Sequence, residues 1–365
     1  MADLTKRERV LGAFKFQETD QIPVYDILQS DAVIAHYSRQ TLNFEHADQL
    51  KGIAIGNTLD MTSMPEGPRP AGIERRPDGM VIQQERWSRW VAYRPFETLI
   101  ETTEWLKNEI TAVQQRSFDQ AYRRMIRSEI QRFQEYFAVG DPDGRQDAAV
   151  LAVESAIGLS ELYWLLGSQH FLTVIGERPA LVDEWIETRS QMELRRIEAI
   201  ADANLFPVVC ITEDIVTKSG VFYSPDWLQV HWIPKLKQIV HAWHQHDTLV
   251  GFRSQGNLMP FLPDLVAAGI DGLSPLEGMP VRSIRDQYPG LVLLGGIDSE
   301  QLLAYATPEE VRKVCQDTIV AAARKGYFLG SSAGVNWETQ VENYAAMIDS
   351  NKSKADRPAP SRRRF

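Results

Sequence analysis

Seven carboxylates and one guanidinium stand where apolar runs of this chain stop: Asp26, Asp60, Glu154, Glu213, Asp214, Glu277 and Asp298, with Arg253 among them. Acids crowded around one opening raise one another's pKa, because like charges resist sharing a small volume. An acid raised in this way can hand over a proton near neutral pH. That chemistry is needed when an oxygen or nitrogen departs from a substrate and must not leave as a bare anion. The plain alternative is that Arg253 pairs with Glu213 or Asp214 and only fixes loops.

Such a set has to be positioned by rigid elements. VVCITED (208–214), LVGFRSQGN (249–257), LVLLGGID (291–298) and YFLGSSAGVN (327–336) each end an apolar run at a polar cluster, and helical spacing follows each one. They read as buried parallel strands carrying polar groups at their C-terminal ends. QIPVYDI (21–27), GIAIGNTLDM (52–61) and AAVLAVES (148–155) read as strands as well. With one more near 271, strands near 23, 55, 150, 209, 250, 271, 293 and 328 number eight. The fold expected is an α/β (β/α)8 TIM barrel in a single domain over 1–350, with a doubly wound sheet as the alternative.

Helices are marked by their caps. Thr5 opens an N-terminal helix over 5–16, Ser224-Pro225-Asp226 another, and Thr307-Pro308-Glu309-Glu310 carries a capping box. Pro234 is expected to kink the helix after Ser224. Helices are also expected over 97–137 and 159–203. MVIQQERWSRWVAY suits a β-hairpin, taken as an insertion at about 80–94 over the mouth. Trp87 and Trp90 would then point to opposite faces, so that at most one of them faces the pocket. That one could stack on an aromatic ring or a quaternary ammonium. Packing on a neighbouring helix is the plainer role for either.

Composition narrows the partners. A net charge of -10 argues against a nucleic-acid surface, which needs clustered Lys and Arg. The one basic run, Arg362 to Arg364, falls in a Pro- and Ser-containing segment expected to be a disordered tail over 351–365. The charged start MADLTKRERV does not read as a signal peptide, no apolar stretch approaches a membrane span, and Cys210 and Cys315 do not make a disulfide framework, so a cytoplasmic protein is expected. His231, His241, His244 and His246 lie on one helix, the last three at its end, and read as solvated cap residues before they read as metal ligands.

The order EDIVTKSGVFYSPDWL, GFRSQGNLMPFLPDLVAAGIDGLSP, LLGGIDSEQLLAYATPEEVR and GYFLGSSAGVNWETQVENY resembles the uroporphyrinogen decarboxylase-like (URO-D) superfamily, most strongly over 205–349. That superfamily holds tetrapyrrole decarboxylases and cobalamin-linked methyltransferases, and its chemistry varies at the same strand ends. The resemblance puts a His-x-Cys pair and a later Cys, the zinc ligands of its methyltransferases, where this chain has Arg253-Ser254-Gln255 and Ser331-Ser332. Arginine and serine do not replace imidazole and thiolate, so zinc is not expected. The resemblance also implies a decarboxylase aspartate at Asp60 and tyrosine at Tyr163, but the arginine-rich motif of the decarboxylases is absent from VYDILQSDAV.

The expectation is therefore a methyltransferase moving a methyl group between a small substrate and a corrinoid, carried by a partner protein or bound transiently. Asp60, Glu213, Asp214 and Tyr163 are its candidate catalytic residues. Asp26, Glu154, Arg253, Gln255, Asn257, Ser332, Trp87 and Trp90 are its candidate substrate-binding residues. The resemblance also implies a possible homodimer. The alternatives are decarboxylation of a tetrapyrrole-like or small aromatic acid, with Asp60 stabilising a protonated ring, and a barrel that binds a cofactor without catalysis. A carboxylate-only metal site from Glu154, Glu213 and Asp298 also stays open.

Overall fold

The computed structural model describes residues 3–141, 147–217, 220–221 and 223–351. Parallel strands Val153–Ser155, Val208–Thr212, Leu249–Arg253, Gly272–Ser274, Val292–Leu294 and Tyr327–Phe328 lie side by side in that order. Parallel bridges close them into a ring. Val24 meets Leu329, Tyr25 meets Met61, and strand Met61–Thr62 pairs with Val150–Leu151, which runs on into Val153–Ser155. Eight parallel positions around one axis make the (β/α)8 barrel that the repeated run-then-helix pattern requires.

Strand residues alternate between the interior and the surrounding helices. The inward set, Tyr25, Met61, Val150, Ala152, Val208, Cys210, Val292, Leu294 and Phe328, forms a core cluster with Val10, Ala13 and Phe14 of helix Lys6–Phe14. The first helix thus plugs the floor of the barrel at the N-terminal strand ends. Its start is set by the Thr5–Glu8 capping box, and Thr307 and Glu310 repeat the device on helix Pro308–Ala321. The remaining buried apolar residues fill the layer between barrel and helices.

One expected strand is a helix. GIAIGNT belongs to helix Ala47–Thr58, and the second strand is the short Met61–Thr62. Gly52 and Gly56 explain the misreading, since they are spaced as helical neighbours and let this helix press against helix Gln120–Val139. A Cβ on Gly56 would lie 1.9 Å from the Phe137 carbonyl oxygen, and one on Gly52 would lie 2.5 Å from Tyr136 Cβ. The apolar run is a buried helix face, which periodicity alone does not separate from a strand over so short a stretch.

The insertion has three antiparallel strands, Gly72–Arg75, Val81–Gln84 and Arg89–Tyr93, one more than the expected hairpin. Arg94 ties it to helix Leu159–Glu177 by donating to the Leu165 and Trp164 carbonyls at 2.7 and 3.0 Å. The expected kink at Pro234 is a full break between helices Pro225–His231 and Ile233–His244. Asp349–Asn351 form a 3-10 turn with Ser350 and Asn351 buried, and the rest of the expected tail, 352–365, lies outside the described residues. Cys210 and Cys315 are buried free thiols. Among the described residues no helix is long and apolar enough to cross a membrane.

Candidate active site

Alternation carries polar side chains into the barrel one layer above the apolar core, at the C-terminal ends. Ser63 follows inward Met61, Glu154 follows Ala152, Thr212 follows Cys210, Arg253 follows Leu249 and Gly251, and Ser274 follows Gly272. The sheet register sets Glu154 beside Cys210 and places Arg253 between Thr212 and Ser274. The Tyr25 hydroxyl and Ser63 Oγ lie 3.0 Å apart across the same layer.

The electrostatics of this layer centre on Arg253. Its guanidinium makes no hydrogen bond and no ion pair with the described residues, while Tyr25, Cys210, Glu154 and Asp214 all sense its charge. Burial works against the cation, and those neighbours outweigh it, so its pKa stays above the ordinary arginine value. Glu154 is exposed at the rim of this layer, and partial desolvation raises its carboxyl, which Arg253 partly offsets, while the Thr212 hydroxyl donates to Cys210 Sγ. Burial also pushes the Cys210 thiol up to about 11, so it stays protonated at neutral pH. Ser274 is 3% exposed, and its hydroxyl has no hydrogen-bond partner.

The other acids are engaged with backbone. Glu213, expected as an acid, accepts from the amides of Ile157 at 2.7 Å, Gly158 at 2.5 Å and Ser160 at 2.7 Å. Those amides form the N-terminus of helix Leu159–Glu177, whose N-cap is Gly158 and offers no side chain. Glu213 therefore caps a helix from 55 residues away. Asp214 accepts from Gln255 N at 2.9 Å and Glu277 from Gly256 N at 3.0 Å, so each pins the loop after strand Leu249–Arg253. Asp298 accepts from the amides of Glu300 and Gln301.

Asp26 accepts from Ser331 Oγ at 2.7 Å and Ser331 N at 2.9 Å, clasping the first strand to the last. Its carboxyl is raised to about 6, with burial as the main cause. The expected cause of raised pKa values, mutual crowding of acids, is thus corrected: desolvation dominates at both Asp26 and Glu154.

Asp60 is removed from the mouth altogether. Because the second strand starts after it, Asp60 sits at the N-terminal end of the barrel. There it takes Arg9 at 2.5 Å and the Val24 amide at 2.8 Å. A polar recess of about 660 Å³ opens at that face, lined by Arg9, Asp20, Asp60 and Asp147 among others. In a (β/α) barrel that face serves stability, so the size of this recess does not make it the reaction site. The decarboxylase-type role for Asp60 loses its geometry, and Glu154, Glu213 and Asp298 do not converge as a metal site.

The remaining candidates are dispersed. Tyr163 is 37% exposed on helix Leu159–Glu177, with its ring edge-on to Phe171. Trp87 lies in the turn after Gln84, not in a strand. Its indole donates to Asp31 at 2.9 Å, and Lys51 sits 5.2 Å from its ring. Trp90 lies on the strand face opposite buried Val91. Gln255 offers Asp214 its backbone, Asn257 is exposed and accepts from Met259 N, and Ser332 Oγ accepts from Ser299 N at 3.3 Å. His231 and His244 are more than solvated caps, since they meet Asp183 at 2.6 Å and Asp271 at 2.8 Å. No three His, Cys, Asp or Glu side chains among the described residues are grouped to hold a metal ion. Tyr25, Ser63, Cys210, Thr212 and Ser274 were missed, although Cys210 and Thr212 alternate with the outward residues of the run VVCIT, where period-two counting could have found them.

A (β/α)8 barrel with its polar layer at the C-terminal strand ends defines the class. The chain belongs to the uroporphyrinogen decarboxylase (URO-D) family, whose model matches residues 164–353. No curated protein matches. Among solved structures, a methyltransferase from Methanosarcina mazei is similar with a TM-score of 0.66 at 13% identity, covering 95% of this chain and 98% of its own. At that identity the likeness speaks for the fold. The Bacillus subtilis YkuI protein, with an EAL domain, matches at 13% identity with a TM-score of 0.28, covering 76% of this chain and 59% of its own, and carries no argument.

Proposed function

We propose that this barrel is a methyltransferase that moves a methyl group between a small substrate held at the mouth and a corrinoid brought by a partner protein. The observation that carries the reading is the charge balance of the inward layer, where one unpaired guanidinium on Arg253 stands with one carboxylate on Glu154. A tetrapyrrole bearing many carboxylates would find a single cation there, so the family's decarboxylation is disfavoured by charge. The fold shared with the Methanosarcina mazei methyltransferase supports the same reading.

The corrinoid enters as second substrate. The mouth layer is compatible with its approach, since Ser63, Thr212 and Ser274 are short and put no bulk over the charged pair. When bound, it supplies the electron pair that accepts the methyl group. The chain's own residues do the rest. Arg253 orients the substrate through a charged group, and Glu154 lies where a departing nitrogen or oxygen can be held protonated. Desolvation raises its pKa, which favours sharing a proton with that atom. Glu213, Asp214 and Glu277 keep the loops in register, and Asp26 keeps the ring closed.

The test is to mix the purified protein with reduced cobalamin and a panel of methylated amines and ethers, and to follow the corrin absorbance. Methylation with one donor class supports the reading. Release of carbon dioxide from a small acid without corrin methylation would replace it by decarboxylation, and a bound corrinoid without turnover would replace it by a binding role.

A further inference from the structure

A guanidinium and a carboxylate that share one layer of a barrel interior would ordinarily form a salt bridge, and these two do not. Glu154 and Arg253 lie on strands to either side of Val208–Thr212, with a two-residue stagger, since Glu154 pairs with Cys210 and Arg253 with Thr212. Two strand spacings and one two-residue step put their Cα atoms about 12 Å apart. A group of a few heavy atoms carrying both charges fits between such tips.

The two ends of the gap differ in character. At the Arg253 end stands Ser274, a buried hydroxyl without a partner, paired in register with Arg253. A cation and a hydroxyl donor side by side make a receptor for a carboxylate. Beyond Glu154, between the strand ends and helix Gln120–Val139, lies a recess of about 180 Å³ lined by Met64, Ile130 and Phe133, with Glu66, Glu129 and Glu154 beside them. Apolar walls with surrounding acids suit a cation that carries methyl groups, because the methyls can be desolvated while the charge is met by carboxylates and a ring. A plain amine would pay more to lose its water there.

From this we infer that the substrate is a small zwitterion, an N-methylated amino acid, with its carboxylate on Arg253 and Ser274 and its methylated nitrogen at Glu154, where the recess opens. A pure cation would leave Arg253 unpaired, and a pure anion would face Glu154, Glu66 and Glu129. The inference rests on the methyl-transfer reading for the chemical step after binding. In that step the nitrogen is protonated and its proton is held by Glu154; the carbon to nitrogen bond breaks, the electron pair stays on nitrogen, and a neutral amine that keeps this proton leaves. The methyl group goes to the electron pair of the reduced corrinoid. No oxidant is consumed.

The experiment is calorimetric titration of the full chain, without corrinoid, with N,N-dimethylglycine, trimethylamine and acetate as probes. N,N-dimethylglycine is expected to bind at least tenfold more tightly than either of the others. Arg253→Met should remove that advantage while leaving trimethylamine unchanged, and Ser274→Ala, a smaller change, should weaken the zwitterion alone. Thermal melts identify a variant that fails to fold, in which case the Ser274→Ala comparison decides. Equal affinity for trimethylamine, or no N,N-dimethylglycine binding by the folded wild type, would overturn the inference. Methyl transfer to cobalamin from some other donor, with no zwitterion bound, would sink the substrate class and leave the methyltransferase standing. Zwitterion binding without any methyl transfer would do the reverse.

Discussion

Replacing Glu213 by glutamine separates a structural carboxylate from a reacting one. In the wild type Oε1 takes the amides of Ile157 and Gly158, and Oε2 takes that of Ser160. The amide of Glu213→Gln keeps one oxygen for the first pair and turns an NH2 toward the Ser160 N–H, donor against donor. One charge-assisted bond worth about 1.5–3 kcal/mol is lost and a donor is left unpaired at about 1–3 kcal/mol. The helix N-terminus loses its counter-charge, worth about 0.3–1 kcal/mol. Taken together with partial relaxation, the cost is about 3–5 kcal/mol. At the roughly 2 °C per kcal/mol extrapolated for a chain longer than about 250 residues, Tm should fall by about 6–10 °C in circular dichroism melts. Any activity should persist in the folded fraction. An unchanged or raised Tm together with lost activity would refute the reasoning, because it would mean that Glu213 is free to react.

Three further perturbations test other parts of the account. Asp60→Asn removes one of the two carboxylates that hold Arg9 at the barrel floor, Asp20 remaining, and should destabilise by about 1.5–3 kcal/mol in urea unfolding, with no change in any turnover per folded molecule. Burial lowers the Lys51 ammonium to about 7, so between there and the ordinary value of 10.5 the unfolded chain binds more protons. Wild-type stability relative to Lys51→Met should therefore rise with pH, by up to about 1.4 kcal/mol per unit from pH 7 to 9. A flat difference would show that Lys51 is hydrated. Gly56→Ala drives a methyl group into the Phe137 carbonyl and should cost about 1–3 kcal/mol or more, read as a fall in the urea midpoint without change in slope.

Much of the barrel was legible because its last five strands obey one rule: an apolar run stops at a polar group, and a helix comes next. The second strand broke the rule, being only Met61–Thr62, and the helix before it carried the apolar run that a strand would have shown. That shift of a few residues moved Asp60 from one end of the barrel to the other. Glu154 and Arg253 were visible as polar residues at the ends of alternating runs. What each carboxylate bonds to was not visible, since Glu213 finds its amides 53 to 56 residues upstream and Asp26 finds Ser331 305 residues downstream. Such partners are set by ring closure, and a one-dimensional pattern does not encode them.

The most direct measurement of the central claim, that reaction takes place at the Arg253–Glu154 layer and not at the floor, is the rate of cobalamin methylation by wild type, Glu154→Gln and Asp60→Asn at saturating methyl donor. Glu154→Gln should lose about a hundredfold or more, the usual scale for a removed proton donor, while Asp60→Asn keeps the wild-type rate per folded molecule. An inactive but folded Asp60→Asn beside a fully active Glu154→Gln would contradict the account.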